Sequence, residues 1–394
     1  MNLRQFDEIS RLLQIEIDEH HIPGGIVTVY HMGKEIFQTC RGLADIEKGI
    51  DMGENTIFRM YSMSKPVTAV AAMIFMERGL LRLEDKVSKY LPEFTQMKVL
   101  EKGKIVSADR AITIKDLLHM TSGIVYPDPD PAGMKMTSIF DEIHFAMNEK
   151  RAYTTREVMK AIASCPLAFH PGEGWRYGLS ADVLAAVLEV IADCKISELY
   201  KKEIFEPLDM QDTGFYVPIE KQEGFAQLYK SHYNEEKSIY TLEIDTNRHL
   251  GLSYCLKPPG FESGGAGICS TLRDYSRFAR MLAGGGSYTG VKILERSTVE
   301  HFTHNELNMK QKAMVNFPQL EGYGYGYLMR TREAKSDHKD RGVEGEFGWD
   351  GWTGPYFTVD LKDNLTFLYL TQISGYSNWS FIRELRNAIY GAMD

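Results

Sequence analysis

The run from Val67 to Met76 is almost unbroken in apolar character and ends at Gly79. A stretch of this length with no polar face reads as a helix buried on all sides, so the rest of the chain has to wrap it. Pro66 fits only in the first turn of such a helix, and Gly79 suits its C-terminal stop. Immediately before it stand Ser62 and Lys65, a Ser-x-x-Lys unit fed by a short apolar strand, Phe58 to Tyr61. The spacing puts Ser62 at the helix start and Lys65 one turn on, on the same face. An amine driven into a core at that place has a lowered pKa and can take a proton from the hydroxyl beside it.

Ser-x-x-Lys is only two fixed letters and recurs by chance. A second copy, Ser336 and Lys339, lies in a charged stretch with no apolar helix behind it and reads as solvated surface. Context, not the letters, singles out Ser62.

With 394 residues the chain can bury a large core arranged as two lobes. A net charge of −9 without a basic cluster argues against nucleic acid or an anionic membrane surface as partner. No stretch is long and apolar enough for a bilayer, and the first residues resemble neither a secretory signal nor a transit peptide. The five cysteines, Cys40, Cys165, Cys194, Cys255 and Cys269, are odd in number and lack C-x-x-C spacing. They read as buried free thiols of a reducing compartment, which points to the cytoplasm.

Along the chain, Leu3 to about residue 20 has helical spacing, and Ile26–Tyr30 with Glu35–Thr39 form a hairpin around Met32-Gly33. Ile114 to Met120 is a short helix. The Pro-rich run from Tyr126 to Pro131 opens a loop to about Tyr153 that overhangs the cleft. Thr154 with Glu157 caps a helix through Ser164, Ser180 caps Ala181–Ala192, and Ser270 or Thr271 caps Leu272–Leu282. Residues 220–260 show no period. Tyr323–Met329, Tyr356–Asp360 and Thr366–Thr371 read as adjacent antiparallel strands, and Asn378 caps a closing helix. Strands at both ends and helices between predict one α/β (α+β) domain over 1–394. Its α/β lobe covers about 1–85 and 262–394, with an all-α insertion of about 86–261.

Two further stretches carry chemistry. Trp175-Arg176-Tyr177 puts a phenol on a turn just before a helix. Trp349-Asp350-Gly351-Trp352 precedes a strand, with glycines that let backbone approach a ligand. Trp175, Trp349, Trp352, Tyr126 and Tyr356 are candidates to line an acyl pocket. No metal site stands out: His301 and His304 lack further ligands. There is no Gly-x-Ser-x-Gly elbow, no phosphate-cradling loop and no dinucleotide fingerprint, and no cofactor is expected.

Taken in order, these stretches resemble the serine β-lactamase and penicillin-binding-protein superfamily, and within it the class C β-lactamase branch and the family VIII carboxylesterases. The likeness is carried also by Thr113 to Gly123, Glu206 to Phe215, and Gly264 to Thr271 with Asp274, Tyr275 and Phe278. The resemblance implies a β-lactamase/transpeptidase-like fold, an antiparallel sheet flanked by helices. It implies Ser62 as nucleophile, Lys65 as its activating partner, and Tyr177 as shared base and later acid. The backbone N–H groups of Ser62 and Trp352 would form the oxyanion hole, with Trp349, Asp350, Gly351, Trp175 and Tyr126 at the substrate. Whether Lys65 or Tyr177 takes the proton stays open at this point.

Departures from the family pattern narrow the reading. Leu179 replaces the Asn of Tyr-x-Asn, and Trp349 replaces the strand lysine that would hold a substrate carboxylate. Asp350 adds a negative charge there. The expected activity is therefore that of a carboxylesterase for small neutral esters, with a small-molecule ester or amide as partner and weak or no β-lactamase activity. A β-lactamase, DD-peptidase, D-aminopeptidase or acyltransferase on the same scaffold is the alternative. An inert binding or scaffold protein is the rival, against which the joint retention of Ser62, Lys65 and Tyr177 argues.

Overall fold

The structure, a computed structural model, describes residues 3–148, 152–246, 255–334, 340–376 and 379–393. Ser336, Lys339 and Asn378 lie outside them.

The helices are α1 (Leu3–Asp18), α2 (Ser64–Glu77), α3 (Ile114–Leu118), α4 (Gly133–Asn148), α5 (Thr155–Ala163), α6 (Ser180–Ala192), α7 (Ile196–Tyr200), α8 (Leu272–Ala283), α9 (Arg296–Glu300), α10 (Met309–Ala313) and α11 (Trp379–Met393). The strands are β1 (Gly24–His31), β2 (Lys34–Asp45), β3 (Ile50–Asp51), β4 (Ile57–Arg59), β5 (Lys98–Glu101), β6 (Lys104–Ser107), β7 (Tyr229–Asn234), β8 (Ile239–Ile244), β9 (Cys269–Thr271), β10 (Ser287–Tyr288), β11 (Val291–Lys292), β12 (Tyr323–Gly326), β13 (Met329–Arg332), β14 (Phe347–Asp350), β15 (Tyr356–Asp360), β16 (Leu365–Leu370) and β17 (Ile373–Ser374).

An eight-stranded antiparallel sheet in the order β12-β13-β14-β15-β16-β1-β2-β3 is stitched from the two ends of the sequence. Ile26 faces Leu370 where they join. Strand alternation assigns the two faces. Val27, Val29, Phe367 and Tyr369 pack under α1 and α11 with Leu13, Leu385 and Ile389. Ile26, Leu368, Leu370 and Phe357 point the other way, into the core that holds α2 and α8. Every residue of α2 from Ser64 to Phe75 is buried, as the almost unbroken apolar run from Val67 requires, and Ser64, Lys65 and Thr68 are buried with it.

Local sequence signals decide most element ends. Met32 and Gly33 both have φ above +45°, the left-handed pair that a two-residue hairpin uses. Thr113, Thr154 and Thr271 each cap their helix by accepting from the backbone N–H three residues on. Ser180 does not cap: it lies inside α6, and its hydroxyl is 2.8 Å from that of Ser122.

Three stretches differ from the sequence reading. The run 323–329 is not one strand but a tight hairpin turning at Tyr327 and Leu328, both left-handed at φ 50° and 63°. Burial outweighs that local cost, since both residues are core and the Leu328 N–H donates to the Leu118 carbonyl at 2.7 Å. The segment after Pro131 is not a loop but α4, whose start is held by Asp130 Oδ1 accepting from the N–H groups of Ala132 and Gly133. The middle of the chain also carries two hairpins, β5–β6 and β7–β8, beside its helices. All five cysteines are free thiols. Cys165 and Cys269 are buried, whereas Cys40, on a strand near the sheet edge, and Cys194 and Cys255, in connecting segments, are partly exposed. No helix among the described residues is long and apolar enough to cross a membrane.

Candidate active site

Ser62 sits in a single 3-10 turn, Tyr61–Met63, between β4 and α2. Strand β4 is pinned by β9, with Arg59 opposite Cys269. Beyond the pairing, the Met60 N–H donates to the Ile268 carbonyl, and the Tyr275 hydroxyl donates to the Met63 carbonyl at 2.8 Å. The turn therefore has little freedom, and Tyr61 is held at φ 43° within it.

Lys65, one turn into α2, is 0 % exposed. Its Nζ lies 3.1 Å from Ser62 Oγ, 2.9 Å from the Tyr126 hydroxyl and 2.9 Å from the Gly265 carbonyl oxygen. Burial brings its pKa down to about 7, against the opposing pull of the Asp182 and Asp350 carboxylates. A neutral amine has two hydrogens and one lone pair. The carbonyl can only accept, so the lone pair faces Ser62 or Tyr126.

Tyr177 arrives from the segment before α6. Gly178 makes this possible: a Cβ there would stand 2.1 Å from the Ile124 carbonyl oxygen. The close approach lays the Tyr126 and Tyr177 rings side by side, centroids 5.5 Å apart. The Tyr177 ring centroid is 4.6 Å from Lys65 Nζ, and its hydroxyl accepts from Trp349 Nε1 at 3.0 Å. Both phenols also interact with the Ser62 hydroxyl, and burial pushes both above the ordinary tyrosine range. Sequence reasoning placed Tyr126 only at the substrate. It missed this direct contact with Lys65, because nothing in the spacing links residues 61 positions apart.

The site opens into a cleft of about 910 Å³. Ser62, Tyr126, Trp175, Tyr177, Asp350 and Trp352 line it, joined by Phe140 of α4 and by Phe317. Trp352 is 37 % exposed, with its ring 5.2 Å from that of Tyr61. Other expected lining residues lie elsewhere. Trp349 is 0 % exposed and stands behind Tyr177, which it holds, so it does not reach the cleft. Gly351 packs against Met60, where a Cβ would be 2.5 Å from the carbonyl oxygen. Tyr356 falls on the opposite sheet face, stacked on Phe367. Asp350 is paired with the buried Arg330 at 3.2 Å, and burial still brings its pKa up to about 6. The lone cation of the described lining, Arg176, is already paired with Asp128 and Asp130. No group of three or more His, Cys, Asp or Glu among the described residues could hold a metal ion.

The chain is similar to known proteins along nearly its whole length. The family model described as Beta-lactamase matches residues 4–388. Protein Rv1367c of Mycobacterium tuberculosis is 32% identical over 371 residues, 91% of this chain and 88% of that protein. Esterase EstB of Burkholderia gladioli is 28% identical over 382 residues, covering 94% and 92%. Among solved structures, EstCE1, a hydrolase with promiscuous acyltransferase activity, superposes with a TM-score of 0.78 at 25% identity, covering 98% of this chain and 99% of that one. A family match across nearly the whole chain, with full-length relatives named as esterase and hydrolase, makes this protein a serine hydrolase that belongs to the β-lactamase family.

Proposed function

We propose that the protein is a carboxylesterase that cleaves neutral esters through an acyl-enzyme on Ser62. The observation that carries this reading is the amine of Lys65, wholly buried and 3.1 Å from Ser62 Oγ. With a pKa of about 7 it is available in the neutral form near neutrality, whereas the two phenols are pushed up and stay protonated. Lys65 is thus the base, and Tyr177 and Tyr126 are hydrogen-bonding partners rather than phenolates.

In acylation, Ser62 Oγ attacks the ester carbonyl while its proton passes to Lys65 Nζ. The negative charge that develops on the carbonyl oxygen is met by the N–H groups of Ser62 and Trp352, both residues of the cleft lining. As the tetrahedral species collapses, the proton leaves Lys65 for the alkoxide leaving group, by way of the phenol at its side. Water then repeats the sequence in reverse and releases the acid.

The preference for neutral esters rests on what lines the cleft: rigid aromatic rings, carboxylates at Asp128, Asp141 and Asp350, and a single arginine already paired. By the motif resemblance, Trp349 stands in the sequence where the family's strand lysine would hold a carboxylate. EstB bears the name of an esterase, which supports the same choice. The test is turnover of p-nitrophenyl acetate and butyrate beside nitrocefin, with Ser62→Ala as control. Ester turnover that disappears in Ser62→Ala is expected, with nitrocefin cleavage weak. A strong preference for nitrocefin refutes the reading.

A further inference from the structure

Asp182 is a carboxyl in the first turn of α6, flanked by Ala181 and Val183 and 1 % exposed. Neither the nucleophile nor its base touches it through a hydrogen bond. Its Oδ1 accepts from the Ser263 hydroxyl and from the Gly265 N–H at 3.2 Å, while its Oδ2 has no hydrogen-bond partner among the described residues. A buried carboxylate oxygen left unpaired is costly, and it persists only where something else compensates.

The compensation lies on the far side of the same residue. Gly265 receives Asp182 on its N–H and offers its carbonyl to Lys65 Nζ at 2.9 Å. The preceding carbonyl, of Gly264, accepts from Thr68 Oγ1 of α2 at 2.6 Å. The turn 263–266 is therefore clamped between α6 and α2. It fits only because its two glycines lack side chains: a Cβ on Gly264 would be 2.4 Å from Ala185 Cβ, and one on Gly265 would be 2.5 Å from Asp182 Oδ2.

We propose that Asp182 is a positioning residue for the Ser62 site, holding the 263–266 turn so that the Gly265 carbonyl meets Lys65 and supplying the negative charge that faces the buried amine. The inference rests on the reading of Lys65 as base. Each of the two groups pulls the other toward its charged form while burial opposes both. The other ionisable groups facing Lys65 are Asp350 of β14, itself paired with Arg330, and the phenols of Tyr126 and Tyr177. Those facing Asp182 are Lys65 and, among the phenols, Tyr126, Tyr177 and Tyr200.

The experiment is the pH profile of kcat/KM for p-nitrophenyl butyrate in the wild type, Asp182→Asn and Gly265→Ala, with circular dichroism to show that each is folded. In the wild type, activity falls on the acid side as Lys65 takes up its proton. Loss of the carboxylate charge weakens the ammonium form, so the acid limb of Asp182→Asn moves to lower pH by about 1 unit. The added methyl of Gly265→Ala displaces either the carboxylate or the carbonyl, each of which favours the ammonium, so its limb moves the same way. Ser263→Ala removes a hydrogen bond that favours the ionised Asp182 and loosens the same turn, so its limb also moves to lower pH. A merely structural Asp182 lowers kcat without moving the limb. An unmoved limb in folded Asp182→Asn, or in Gly265→Ala if the former does not fold, overturns the proposal while leaving the esterase reading intact. A wild type with no Ser62-dependent turnover and no labelling of Ser62 by a fluorophosphonate removes the reading and the inference together.

Discussion

Replacing Lys65 with methionine separates the proposed base from the fold. The change keeps an apolar stem of similar length and deletes the amine. In the unfolded chain the lysine titrates near 10.5, and in the folded protein burial brings it to about 7. Between these values the unfolded state holds a proton that the folded state has released, so the lysine's contribution to stability rises with pH across that window and is flat below it. One pH unit corresponds to about 1.36 kcal/mol. Allowing for half-protonation at the folded pKa, the wild type gains about 2 kcal/mol over Lys65→Met between pH 7 and pH 9. Losing the contacts to Ser62, Tyr126 and Gly265 adds a cost, but one that does not vary with pH, so it cancels in the comparison. Tyr126 and Tyr177, pushed upward by burial, do not titrate in the window. The assay is urea unfolding of both proteins at pH 7, 8 and 9, and esterase turnover should drop at least about 100-fold in the variant. A stability difference that stays constant across the three pH values refutes the argument, because the amine would then be charged in the folded state and unable to accept a proton.

Three further outcomes follow from the contacts around the site. Trp349→Phe removes the N–H that the Tyr177 hydroxyl accepts. It is expected to cost about 1 kcal/mol in thermal unfolding and to lower kcat more than it raises KM. Gly351→Ala drives a methyl into the Met60 carbonyl and displaces the Trp352 N–H, with an expected loss of about 100-fold in the acylation rate read by stopped flow. Asp350→Asn removes a negative charge from the cleft while Arg330 remains beside it, so KM for a carboxylate-bearing ester should fall and that for a neutral ester should not.

What the sequence made legible was whatever is encoded locally. The apolar run after Lys65 announced its own burial, the Met32-Gly33 pair declared its turn, and Thr154 with Glu157 and Thr271 declared their helix starts. What it hid depends on distant partners. Tyr327 and Leu328 carry no turn signature and bend because the core and the Leu118 carbonyl claim them. The Pro-rich stretch before α4 masked a helix start that Asp130 supplies. At the site, Ser62 and Lys65 were readable from four residues, whereas the contact of Tyr126 with Lys65 needs the missing side chain of Gly178. Asp182 did leave a trace: an acid set among Ala181, Val183 and Leu184 breaks an otherwise apolar face and signals a partner within.

The pinning of β4 has a consequence for biosynthesis. Arg59, three residues before Ser62, opposes Cys269 in the ladder, donates its N–H to Gln372 Oε1 at 2.7 Å, and accepts from Thr353 Oγ1 through its carbonyl. A ribosome delivers Ser62 and Lys65 long before it has made any of those anchors. The emerging polypeptide thus carries Ser62 and Lys65 without these anchors until the chain as far as Gln372 has been translated.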